Sequence, residues 1–111
     1  MATLKFTSTT NNSVTFPDEN IVNQDTDTDS AGKTIGFDTT YITPTGPTSA
    51  TADAALAIDG GFLYATFSTA DGLNWKGQVT GGTGKFKGAT GTVTATAKSP
   101  TAPLDVTVNY S

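Results

Sequence analysis

The run Asp25-Thr26-Asp27-Thr28-Asp29 places three carboxylates on alternate positions and is the one local acidic cluster in the chain. Alternating carboxylates can converge on a hard cation through their oxygens, as in D-x-D-x-D calcium loops, which makes Asp25, Asp27 and Asp29 candidate calcium ligands. The longer calcium-loop pattern then breaks, because Ser30 stands where the turn glycine belongs and Gly36 where the bidentate Glu belongs. Taken instead as extended chain, the three side chains share one face toward water, where charge on an edge discourages strand addition. A solvated edge is therefore the expectation, and no cofactor is required.

Other chemistry is limited by what is missing. The chain has no His, no Cys and no Arg, all six basic residues being Lys, so nucleophilic triads, thiolate metal sites and bidentate phosphate clamps are excluded. An acid–base mechanism on Asp or Tyr remains open, and Asp38, Asp53 and Tyr41 are its candidates, since a buried carboxyl gains a raised pKa suited to general acid work. No spacing selects among them. Gly84-Lys85 suggests a phosphate loop, but Val79 replaces its first glycine and Phe86 its Ser/Thr. Phe37, Tyr41, Tyr64, Phe67 and Trp75 form either a core, a subunit interface or the walls of a pocket for an apolar ligand.

These residues need a scaffold, and composition points to sheet. With 111 residues, 35% hydrophobic and 14% charged, the chain makes one compact domain over residues 1–111. Threonine supplies roughly a fifth of it, and a β-branched uncharged side chain suits half-exposed pleated surface. A net charge of −4 argues against nucleic acid. No apolar run reaches the length of a spanning helix and no leader pattern opens the chain, so a soluble protein is expected; its compartment stays open, the composition suiting an exported protein or a virion component equally well.

Period-two alternation recurs between turn residues. Leu4 and Phe6 mark one short strand and Val14 and Phe16 a second, separated by Thr-Asn-Asn. Ile35, Phe37 and Tyr41 share a face of the next run. Ala50 through Ile58 gives a continuous apolar face on even positions, and Asp59-Gly60-Gly61 turns the chain as Asp-Gly does in tight hairpins. Phe62–Phe67 is apolar on both faces, which marks the most buried strand or one facing a neighbouring subunit. Ala70-Asp71-Gly72 turns toward Leu73, Trp75 and Val79. Val93, Ala95 and Ala97, then Leu104, Val106, Val108 and Tyr110, complete the alternation. About eight short strands follow, in an antiparallel barrel or, as the alternative, a sandwich.

Val79-Thr80-Gly81-Gly82-Thr83-Gly84-Lys85-Phe86-Lys87-Gly88-Ala89-Thr90-Gly91 holds five glycines in thirteen residues around one aromatic. This segment resembles the G-G-T-G-x-F/Y-x-G-A-x-G loop of plant dirigent proteins and allene oxide cyclases, and Asp29–Gly36 is similar to that family's D-x-x-G-x-x-I/V-G hairpin. The likeness runs from about Asp25 to Tyr110. It implies an eight-stranded antiparallel barrel, commonly trimeric, whose apolar cavity steers ring closure or coupling of a hydrophobic intermediate. The acidic, Arg and Tyr residues that dirigent proteins use, and the Glu, Asn and Cys of the cyclase cavity, find no aligned positions here, so fold transfers more safely than chemistry.

The expectation is a non-catalytic homo-oligomeric barrel with a structural or small apolar ligand-binding role, a trimer on the family's pattern. The alternative is a cofactor-free cyclase or isomerase. A cavity above about 300 Å³ with a buried Asp or Tyr would speak for ligand work. An interior filled by Leu4, Phe6, Leu56, Phe67 and Val106 would speak for a scaffold.

Overall fold

The computed structural model describes residues 1–111. Eight strands run in sequence order around a closed antiparallel barrel: β1 (Ala2–Thr15), β2 (Ile21–Thr28), β3 (Thr34–Pro44), β4 (Ala50–Ile58), β5 (Gly61–Thr69), β6 (Asn74–Gly82), β7 (Gly91–Ala97) and β8 (Leu104–Tyr110). β8 returns to pair with β1, from Ala2↔Tyr110 to Ser8↔Leu104. Closure leaves no sheet edge along most of the barrel, which is how a cysteine-free chain of this size satisfies its backbone groups. No helix is long and apolar enough to cross a membrane.

Alternation decides which side chains enter. Along β4, Ala52, Ala54, Leu56 and Ile58 are buried, and along β7 and β8 so are Val93, Ala95 and Val108, as their period-two patterns require. The turns fall where Gly and Asp permit them. Asp59 and Gly60, at φ 25° and 91°, make the β4–β5 hairpin, which needs left-handed backbone that glycine adopts without penalty.

The glycine-rich segment leaves β6, makes a single 3₁₀ turn over Gly84–Phe86 and enters β7. This turn carries Phe86 into the barrel end, where it is fully buried and packs edge-on to Tyr110 at 5.4 Å. Lys85 stays outside and pairs with Asp59 at 3.2 Å. Ile58, Leu63, Phe86 and Val108 together close that end.

Two strands differ from the sequence reading. Asn11 and Asn12 do not turn the chain; Leu4 through Val14 lie in one strand of fourteen residues, with a bulge between Thr10 and Asn12. The bulge absorbs the break in alternation that reads as a turn in the sequence. The acidic run, which alternation in apolar residues does not mark, forms a strand of its own, β2. An undivided β1 and an additional β2 offset each other, so the total stays at eight.

Candidate functional site

The barrel interior is sealed at the Phe86 end and opens at the other, where the β5–β6 turn and the β7–β8 loop bring Gly72, Trp75, Pro100 and Ala102 to the rim. Inside is a cavity of about 180 Å³, lined mainly by hydrophobic residues that include Phe6, Leu56, Phe67, Val93 and Val106. It exists because Ala54, Ala65, Ala95 and Ala97 project at mid-barrel and mouth. Their methyls stop short of the axis, whereas Leu63, Ile58 and Phe86 fill the closed end.

One wall is polar. Asp25 on β2 faces Asp38 on β3 directly across the ladder, and Asp25 is 5% and Asp38 6% exposed. Asp27, 0% exposed, lies one inward position nearer the closed end. Ser8 Oγ donates to Asp38 Oδ2 at 3.1 Å and Thr40 Oγ1 donates to Asp38 Oδ1 at 2.9 Å. The same Thr40 hydroxyl lies 3.5 Å from Asp25 Oδ2. Asn23 Oδ1, Asp25 Oδ1 and both Asp27 oxygens are buried with no hydrogen-bond partner. All six lysines sit on the exposed surface, so no cation offsets this cluster from within the barrel.

Like charges directly opposite in a ladder repel, and removal from water penalises each carboxylate further. Burial first, and then the hydrogen bond and charge of Asp38, push Asp25 up to about 7. Burial, with the Asp27 contact second, raises Asp38 to about 6. Asp27 is also raised, chiefly by burial. Asp25 and Asp38 can therefore gain or lose protons near neutrality.

The solvated-edge expectation is thereby corrected. Asp25 and Asp27 point into the barrel, and the residues of β2 that face outward are Val22, Gln24 and Thr26. Asp29 does not join its neighbours. It lies in the β2–β3 turn, where its Oδ1 accepts from the Ala31 and Lys33 amides at 2.9 Å each. No group of three or more acidic side chains is arranged to hold a metal ion.

Of the acid–base candidates only Asp38 reaches the cavity. Asp53 and Tyr41 are opposite each other in the β3–β4 ladder, but on the outer surface, where the Tyr41 hydroxyl accepts from Asn20 Nδ2 at 2.7 Å. Among the aromatics, Phe67 and Trp75 line the cavity near its mouth and meet edge to face at 5.4 Å. Phe37, Tyr41 and Tyr64 lie outside and are exposed. Sequence reasoning missed Ser8, Asn23, Thr40 and the inward Asp25; the alternation Ile21-Asn23-Asp25-Asp27 was the signal, once β2 is taken as a strand.

The mouth is pinned by Asp71. Its Oδ1 accepts from the Leu73 and Asn74 amides at 2.8 Å each and from Thr69 Oγ1 at 3.1 Å. Those donors, the Asn74 amide foremost, hold its carboxyl well below the usual range. The rim that leads to Trp75 is thus braced.

Fold and interior define a closed eight-stranded antiparallel barrel with a small internal cavity and one acidic wall. A solved structure described as "Pyocyanin demethylase" has this fold: it superposes with a TM-score of 0.82 at 16% identity, covering 99% of this chain and 100% of the other. At that identity the likeness establishes architecture alone. No protein-family model matches the chain, and no curated protein matches its sequence.

Proposed function

We propose that this protein binds a small, largely apolar molecule inside its barrel, with one polar end of that molecule held against the Asp25–Asp38 wall. The observation that supports this is the cavity itself: about 180 Å³ of space, mostly apolar, beside buried carboxyl groups that no cation of the chain reaches. A pure scaffold gains nothing from such a wall, since each buried charge destabilises the fold. The volume is below the usual 300–1,000 Å³ of drug-sized sites and close to that of an engineered cavity of ~150 Å³ that takes benzene. The ligand is therefore a single ring or its equivalent.

The glycine loop and the β2–β3 turn support kinship with the allene oxide cyclase and dirigent barrels. A homotrimer fits the same reading, because Phe37, Tyr41, Phe62 and Tyr64 form an outward apolar surface on β3 and β5. Native mass spectrometry of the protein from its own source tests both points. A discrete small mass on a trimer supports them. An empty barrel in which Trp75 fluorescence is unmoved by single-ring compounds removes the binding reading, and a bare monomer removes the oligomer.

The second reading is a cofactor-free isomerase or cyclase. It is favoured by two facing carboxyls raised to about 7 and about 6, since proton transfer is fastest from groups whose pKa lies near the working pH. Asp38, the less strongly raised of the two, would take a proton from the bound molecule and Asp25 would return one. That a barrel of this fold is described as a demethylase is support by analogy only.

A further inference from the structure

We infer that the molecule held in the barrel presents a nitrogen-borne hydrogen-bond donor, a protonated amine or amidine on one ring, to the acceptor wall of Asn23, Asp25 and Asp38. This rests on the binding reading above and narrows it to a chemical class.

Every orphaned polar atom of the interior is an acceptor. Asn23 Oδ1, Asp25 Oδ1 and both oxygens of Asp27 lack partners, and Asp25 is almost wholly buried while lining the cavity. The nearby donors are few and all neutral hydroxyls: Ser8 and Thr40 donate to Asp38, and Thr10 stands opposite Asp25. The groups facing Asp25 are Thr10 from β1 and Asp38 and Thr40 from β3, with Asn23 and Asp27 on its own strand; none is cationic. The single ion pair of the chain, Lys85–Asp59, is at the surface of the closed end. A buried acceptor without a partner carries an uncompensated loss of hydration, so a guest that supplies two or three N–H donors and a positive charge relieves several such losses at once.

An anionic guest adds repulsion, and a neutral hydroxyl supplies only one donor. A bare hard cation would need six or more oxygens, and Asp29 is turned away into its loop. The apolar remainder of the guest meets Phe67 and Trp75 toward the mouth.

Three probes of one size and different charge decide the matter: benzylamine, benzyl alcohol and phenylacetate, titrated into the whole chain at pH 7.5 and followed by amide NMR shifts of cavity residues. Benzylamine should bind at least tenfold more tightly than benzyl alcohol, a difference of about 1.4 kcal/mol, with phenylacetate weakest. Asp25→Asn should bring benzylamine to within about twofold of the alcohol, while Asp53→Asn, on the outer face, should leave the wild-type ranking unchanged. Equal binding of alcohol and amine, or preference for phenylacetate, overturns the donor class and leaves the cavity reading standing. If none of the three shifts a cavity resonance, both fail. Asp25→Asn is isosteric, and the wild-type ranking is decisive even should that variant misfold.

Discussion

The β2–β3 hairpin and the β7–β8 pair form two walls of one barrel and are built inside out with respect to each other. In β7–β8 the interior receives Val93, Ala95, Val106 and Val108, and the outside receives Thr92, Thr94, Thr96 and Thr107. In β2–β3 the interior receives Asp25, Asp27, Asp38 and Thr40, and Phe37 and Tyr41 face out. The first wall obeys every local rule for a half-buried strand. The second violates them in both directions, and such violations survive where a site needs them.

Giving the apolar wall what the acidic wall tolerates should have the largest effect. Val108→Asp, at a position 1% exposed, should cost about 3 kcal/mol or more by urea denaturation, because no hydroxyls converge on that point as Ser8 and Thr40 do on Asp38. A smaller cost would mean that the whole interior is wet.

Next in size is the reverse change. Asp25→Asn or Asp38→Asn should stabilise the fold at pH 8 by about 2 kcal/mol, since a tenfold difference in proton affinity between folded and unfolded states is worth about 1.4 kcal/mol and the variant still buries a polar group. The sign follows from linkage. Both carboxyls have folded pKa values above their ordinary 3.8, so the folded state holds protons more tightly, and the stability this confers is complete below about pH 4 and lost as pH rises through about 6 to 7. Thermal melting should accordingly occur at higher temperature at pH 5 than at pH 8, and the double Asn variant should flatten that dependence.

Smallest is the effect on the outer face. Phe37→Ser and Tyr41→Ser should alter the stability of the isolated barrel by no more than about 0.5 kcal/mol, since both rings are about half exposed. If they form a subunit contact, the same changes should dissociate the oligomer in sedimentation experiments while leaving fragment binding intact.

Much of the fold is legible in the sequence because it depends on local patterns. Alternation in β4, β7 and β8, the Asp-Gly turns and the glycine-rich connection each follow from a few neighbouring residues, and they suffice for an all-β barrel of about eight strands. Phe86 is readable as an end plug because five glycines around one ring leave that ring as the only large apolar group to bury. The candidate site is much less legible. Asp38 stands among three carboxyl and phenol candidates, of which Asp53 and Tyr41 lie outside, and nothing local in the acidic run distinguishes a buried Asp25 from a solvated one.

The reason lies in one irregularity. The turn at Asp29–Lys33 sets Thr28 opposite Thr34, and a straight ladder from there would bring Asp25 opposite Phe37, with the aromatic inside. A register shift between Asp27 and Thr28 moves the pairing by one residue, so that Asp25 meets Asp38 and Phe37 goes outside. With a side-chain period of two, that single step reverses a whole strand face. Composition and periodicity by themselves determined a Thr-rich, cysteine-free antiparallel barrel. Whether its acidic run met water or a cavity was decided only by the bulge and by ring closure, which no local pattern encodes.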